Sequence, residues 1–162
     1  MQPNTHFMAG LFFGLAVSQY FHMSLWYGFL AGLIAMFIDI DHLISYYLHY
    51  KKISIIGCWN ACCGHHFSGG RMFIHHKNGF LIITAFLVVL YVASPFWAFL
   101  IAVAYYSHYA LDHRIFNSHI HNFDDETIHA KPFGYVFDIS WREVILEILF
   151  MFGSIWIYFF GL

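Results

Sequence analysis

Long apolar runs alternate with two tight turns and two polar stretches along this chain. Apolar residues continue with few interruptions over Phe7–Phe21, Leu25–Tyr47, Phe80–Ser94, Phe96–Leu111 and Val144–Phe160. A helix needs about 20 such residues to cross the hydrocarbon core of a bilayer. The pattern therefore predicts about five transmembrane helices, of which the first and third reach that length only with their flanks. The turns at Phe21–Ser24 and Ser94–Pro95 are tight, so the helices pair as hairpins, and two longer polar loops remain at 49–78 and 112–142. The expected fold is an all-α integral membrane protein built as a single helical domain over residues 1–162.

Composition agrees with that pattern. Of the 162 residues, 60% are hydrophobic and only 10% are charged, too few for the water-facing surface of a soluble domain of this length. Aromatic residues make up 22%, which suits lipid-facing helices and interfacial belts. A net charge of −2 and the absence of any basic run argue against a nucleic-acid partner. The N-terminus has no basic n-region and no small-residue cleavage site, so the first apolar stretch is expected to stay in the mature protein. Cys58, Cys62 and Cys63 form an odd cluster in one loop, a pattern that fits reduced thiols facing the cytosol better than a disulfide framework.

The basic residues fix an orientation. Lys51, Lys52, Arg71 and Lys77 lie in the first polar loop, Arg114, Lys131 and Arg142 in the second, and neither tight turn has a Lys or Arg. The positive-inside rule places both loops and the N-terminus in the cytosol and the C-terminus outside. Trp26, Trp97 and Trp156 then fall near the outer interface and Trp141 near the inner one. Gly10-x-x-x-Gly14 and Gly28-x-x-x-Gly32 put small residues on one face of each of the first two helices, which permits close packing within the chain.

Histidine changes the picture most. The 13 histidines outnumber the 7 Lys and Arg together, and imidazole is a common metal ligand. With the topology drawn from apolar runs and basic residues alone, His6, Asp39, Asp41, His42, His75, His76, His108 and Asp112 all approach the cytosolic membrane face, from four segments. Asp39 and His42 are spaced i, i+3 and His108 and Asp112 i, i+4, so each pair shares a helix face. Asp41 points elsewhere on a regular helix, where it would serve a second ion or support the first. A carboxylate within a span costs about 2.5–3.5 kcal/mol on insertion scales, so such residues are functional candidates by default. One of them alone would read as a helix cap or a partner for Lys51 or Arg71; six or more from four segments read as a site for divalent metal. The ligand set is His6, Asp39, His42, His75, His108 and Asp112. Mixed nitrogen and oxygen donors suit zinc, manganese or iron and do not by themselves decide between them.

Asn4-Thr5-His6, Asp39-Ile40-Asp41-His42, Arg71-x-x-x-His75 and Ser107-His108-Tyr109-Ala110-Leu111-Asp112 resemble, in order, the motifs of the YdjM-like inner-membrane, metal-dependent hydrolases. That family is in turn thought to be distantly similar to zinc-dependent phospholipase C and P1 nuclease, in which a His-x-x-x-Asp helix binds metal; His108 and Asp112 would be that pair. The chain departs from the family where Phe37-Ile38 replaces Pro before Asp-x-Asp-His. It departs again where Met72-Phe73-Ile74-His75-His76 replaces Gly-x-Thr-His-Ser, which leaves His75 or His76 as the ligand, His75 being preferred from its spacing to Arg71.

The resemblance and the membrane location together imply a hydrolase acting on a phosphoester of a membrane lipid at the headgroup level. Metal with an open position lowers the pKa of bound water to about 7 and polarises a phosphoryl oxygen. Arg71 or Lys77 is placed to hold the departing phosphate, with Asp41 and Glu147 as further catalytic candidates. Glu147 lies a turn inside the last apolar run and would act as ligand or general base, whereas Glu143 would pair with solvent or a nearby base. The second polar loop, with His119, His121, Asp124, Asp125, Glu126, His129 and Asp138, would form a lid or a solvated surface. Cys58, Cys62, Cys63, His65 and His66 would close a separate structural zinc or extend the main site; their spacing is no standard finger. His22 and His49 read as interfacial.

Two other functions fit parts of this pattern. A di-iron oxidoreductase of the hydroxylase or desaturase type is also a His-rich set of helical hairpins, but its His-x-x-x-His and His-x-x-His-His boxes are missing here and the carboxylates would go unexplained. A metal-ion or proton transporter would place its site near the bilayer midplane, whereas the polar residues here crowd one face.

Overall fold

The computed structural model describes residues 3–63, 73–112, 127–130 and 137–162. Helices dominate: α1 (Pro3–Tyr20), α2 (Trp26–Phe37), α3 (Ile40–Tyr50), α4 (Ile55–Cys63), α5 (Lys77–Ala93), α6 (Pro95–Asp112) and α7 (Trp141–Phe160), with a 3₁₀ turn at Phe73–His75 before α5. Two segments, Trp26–Tyr50 and Trp141–Phe160, are long and apolar enough to cross a membrane, and Lys77–Ala93 is apolar but shorter.

Local sequence explains most of the boundaries. Pro95 opens α6, where its missing N–H is not needed, after an extended Ser94. Ser140 caps α7 by accepting a hydrogen bond from the Glu143 backbone N–H at 3.3 Å. The α1–α2 turn passes through His22 at φ 53° and α3 ends on Lys51 at φ 55°, left-handed conformations that end helices.

Three features depart from the sequence expectation. The 49–78 stretch contains α4, a helix of nine residues. The second polar stretch contributes a short antiparallel ribbon, β1 (Thr127–Ala130) with β2 (Phe137–Ser140), in the register Thr127↔Ser140. The third departure is an interruption of the second long helix between α2 and α3. There Asp39 takes φ −68° and ψ −2°, and the His42 N–H donates to the Asp39 carbonyl in a tight i, i+3 bond.

α1 is the hub, packed against α2, α6 and α7, while α5 reaches the bundle through α6. Its contact with α2 is close because glycine meets alanine. A Cβ added at Gly14 would fall 2.5 Å from the Ala31 Cβ, and one at Gly10 would fall 2.6 Å from the Ala35 Cβ. The two helices run antiparallel with 14 facing 31 and 10 facing 35, and one turn further the same register sets His6 opposite Asp39. Ala31, Ala35, Phe96, Leu100 and Ala104 form the adjoining core. The outward faces of α5 and α7 are apolar: Leu81, Val89, Val92, Leu149, Phe152 and Phe159 are each more than 60% exposed. A surface of this kind is stable against lipid rather than water.

Candidate metal centre

The polar residues of the bundle meet at one end, where α1 starts, α2 passes into α3, the 3₁₀ turn precedes α5, and α6 finishes. His6, His75, His108, Asp41 and Asp112 are all buried. They form two groups whose donor atoms lie within 4.8 Å of one another: His6, Asp39, His108 and Asp112 in one, and Asp39, Asp41, His42 and His75 in the other. Asp39 belongs to both.

The break after α2 makes this possible. On an uninterrupted helix Asp41 would face away from Asp39 and His42, as the sequence spacing implies; the tight turn at Asp39 brings all three to the same place. Asp39 Oδ1 lies 3.3 Å from His108 Nε2, 3.5 Å from His42 Nε2 and 3.8 Å from His75 Nε2. Its other oxygen lies 3.8 Å from His6 Nε2. Asp112, one turn beyond His108 on the same face of α6, sets Oδ1 3.2 Å from His6 Nε2 and Oδ2 3.7 Å from His75 Nε2.

Hydrogen bonds around the cluster fix the tautomers. His108 Nδ1 lies 2.8 Å from the Ala35 carbonyl oxygen, which can only accept, so Nδ1 carries the proton. His75 Nδ1 lies 2.9 Å from Asp41 Oδ2 and donates to that carboxylate. Each ring, if neutral, then presents a bare Nε2, and the two Nε2 atoms face each other at 3.0 Å. Facing lone pairs repel unless a positive charge lies near both. A proton on one ring would satisfy that contact alone; a divalent ion satisfies it together with the Asp39 and Asp112 oxygens. Among the described residues no hydrogen bond reaches either ring nitrogen of His6, His42 Nδ1 or Asp41 Oδ1. Buried polar atoms are rarely left so, and these donors fit the mixed imidazole and carboxylate shell of a transition-metal or zinc ion. The backbone carbonyl behind His108 and the carboxylate behind His75 are partners of the kind that orient imidazoles in metal sites.

All six residues of the expected ligand set are thus brought together, with Asp41 added. His75 enters the cluster while His76 is exposed. Arg71, the second-loop residues His119, His121, Asp124, Asp125 and Glu126, and also His65 and His66, lie outside the described residues. Cys58 is buried on α4. His129 and Asp138 are cross-strand partners in the β-ribbon.

Glu147 stands one remove away. Its Oε1 accepts hydrogen bonds from the Asn4 side-chain amide and, at 2.7 Å, from the Thr5 hydroxyl, and it belongs to neither donor group. Glu143, expected to face solvent or a base, is buried and lies 3.1 Å from the same Thr5 hydroxyl. Together these carboxylates tie the first turn of α1, and so His6, to α7. Sequence reasoning missed this tie, although Ser140-x-x-Glu143 has the spacing of a helix-start capping box.

No curated protein and no solved structure matches the chain. A family profile does match, over residues 1–118, a span that holds every residue of the two donor groups. The chain belongs to the YdjM inner membrane protein family.

Proposed function

We propose that this protein is a membrane-embedded, metal-dependent hydrolase that cleaves a phosphoester of a membrane lipid at the headgroup level, with a pair of divalent ions, zinc foremost, sharing Asp39. The observation that carries this reading is the pair of donor groups meeting at one carboxylate. Paired ions about 3.5–4 Å apart serve phosphoester chemistry by polarising the phosphoryl oxygen and activating water. The charge balance is suited to such a substrate. Three carboxylates, Asp39, Asp41 and Asp112, offset three of the four positive charges of two divalent ions, which leaves a net attraction for an anionic phosphate.

The protein's own residues have distinct parts in this proposal. His6, His108 and Asp112 would hold one ion and His42 and His75 the other, with Asp39, which belongs to both groups, able to serve each. Asp41 keeps His75 Nδ1 protonated and its Nε2 directed inward. Glu143 and Glu147 position the start of α1 rather than act on substrate. Arg71 or Lys77 receives the departing phosphate. Five helical segments cross the bilayer, with the N-terminus and the site on the cytosolic side. The His-x-x-x-Asp pair on α6 is the element that would relate the chain to zinc-dependent phospholipase C and P1 nuclease.

The test is metal analysis of the purified protein together with phosphate release from phospholipid substrates, in wild type and in Asp39→Ala and His108→Ala variants. Bound metal and metal-dependent release that both fail in the two variants support the proposal. Release that persists in both variants overturns it.

A further inference from the structure

Helix α6 carries two donors of the metal centre on its own face, His108 and Asp112, and holds a third through that residue's backbone. Tyr105 precedes His108 by three residues and Asp112 by seven, so the three side chains share one face of the helix. Tyr105 is buried, and its phenol donates to the Ile74 carbonyl at 3.0 Å, within the 3₁₀ turn Phe73–His75. We propose that Tyr105 is a positioning residue of the metal centre: it clamps the turn that presents His75 and so sets how far His75 stands from His108 and Asp112. This rests on the metal-centre reading above.

The clamp falls where the chain needs one. His75 belongs to one donor group and His108 and Asp112 to the other. The His75 Nε2 lies 3.0 Å from His108 Nε2 and 3.7 Å from Asp112 Oδ2. His108 and Asp112 are fixed by a helix of 18 residues. His75 instead ends a turn of three residues and is followed by His76 in an extended conformation, φ −92° and ψ 157°. A 3₁₀ turn this short has weak internal bonding. The bond from His75 Nδ1 to Asp41 aims the ring, but the ring hangs from a backbone that must itself be held. Among the described residues, the Tyr105 phenol makes the hydrogen bond that joins this turn's backbone to α6.

The neighbouring Tyr106 gives the contrast. It is two residues from His108, about 200° round the helix and so on the far side. Its hydroxyl meets Thr84 Oγ1 on α5 at 2.8 Å. The Thr84 hydrogen is already engaged by the Phe80 carbonyl at 2.7 Å, so Tyr106 is the donor. That bond ties α5 to α6 and touches no donor residue. Changing either tyrosine to Phe removes the same atom, once from the clamp and once from ordinary helix packing. The Tyr105 ring packs beside Phe80 and Tyr109, with centroids 6.4 and 6.1 Å away, and Phe at 105 keeps both contacts.

Cobalt(II) titration of the full-length protein, purified in detergent and stripped of metal, tests the clamp by visible absorption. The wild type should take up two equivalents. In Tyr105→Phe the equivalent held by the His42 and His75 group should bind about 10- to 100-fold more weakly, the usual effect of losing a group that orients a metal ligand, and the other should stay within about twofold. Tyr106→Phe should leave both affinities as they are, even where its thermal midpoint falls. Tyr105→4-aminophenylalanine, which restores a donor at the para position, should recover the weakened equivalent. Wild-type affinities in Tyr105→Phe would overturn the proposal, as would equal losses in the two Phe variants. Hydrogen exchange of the metal-free protein separates the clamp from the metal reading. Amides at 73–77 should exchange several times faster in Tyr105→Phe than in wild type, and no faster in Tyr106→Phe. A wild-type protein that takes up no cobalt sinks the metal-centre reading, and exchange then decides the clamp alone: faster exchange at 73–77 in Tyr105→Phe only upholds it, and unchanged exchange overturns it.

Discussion

Replacing Asp39 and replacing Asp112 should have different consequences, because only Asp39 belongs to both donor groups. If two ions share Asp39 as proposed, its loss would remove a ligand from each and leave the facing Nε2 atoms of His75 and His108 with less to hold a cation between them. Asp39→Ala is expected to reduce bound metal from about two equivalents to nearly none, and Asp112→Ala to about one, in line with two-metal sites; plasma emission spectrometry on the purified variants reads this directly. Equal stoichiometry in the two variants would show that Asp39 does not bridge. Asp41→Asn is a milder change. Its amide can still meet His75 but no longer stabilises the Nδ1 proton as a carboxylate does, so metal affinity should fall about 10- to 100-fold, measured by competition with a chelating dye. At this scale the sequence disclosed much: the six residues that the fold brings together were legible because buried His and Asp are costly in a span. The role of Asp41 at a second ion or in support of the first was open to the sequence too, but its convergence with Asp39 and His42 was not, since nothing in Phe37-Ile38-Asp39 announces that the helix breaks there.

Helix packing sets the distances within the site. The antiparallel α1–α2 register pairs Gly14 with Ala31 and Gly10 with Ala35, and its next step pairs His6 with Asp39. Gly10→Val would drive side-chain atoms into Ala35 and the Ala31 carbonyl, and overpacking of this kind costs about 1–3 kcal/mol. The thermal midpoint in detergent should fall, and metal affinity with it, because the wedge opens the same interface one turn from His6. Leu149→Ala on the outward face of α7, where the side chain is 61% exposed, should change neither. A fall in stability with metal affinity intact would mean that the register does not set the site. The small-residue stripes were visible in the sequence as packing faces. Their register was not, since only the structure sets Gly10 against Ala35 and so His6 against Asp39. The tie from Glu143 and Glu147 to Thr5 was hidden, because it joins residues at opposite ends of the chain through α7 packing on α1. The short helix α4 and the β-ribbon were hidden as well, lying in polar stretches where periodicity gives no signal.

For the molecule as a whole, the polar and apolar ends decide how it sits in the membrane. α1, α5 and α7 start at the end that carries the donor groups and run away from it, and Lys51, Lys52, Lys77 and Arg142 lie in the segments flanking that end. The turn at 21–25, Ser94 and the last residues carry no Lys or Arg. In the proposed five-span topology a bilayer with a negative inner surface would hold the basic end inside, and the two termini would lie on opposite sides. Alkaline phosphatase, which folds only outside the cytosol, should be active when fused after Leu162 or inserted at Met23 and inactive when fused after Lys52. The reverse pattern would turn the metal centre outward, and a lipid phosphate of the outer leaflet would become the substrate to test. Activity at both Lys52 and Leu162 would show that an odd number of crossings does not separate them, and would remove the five-span topology on which the cytosolic placement of the site depends.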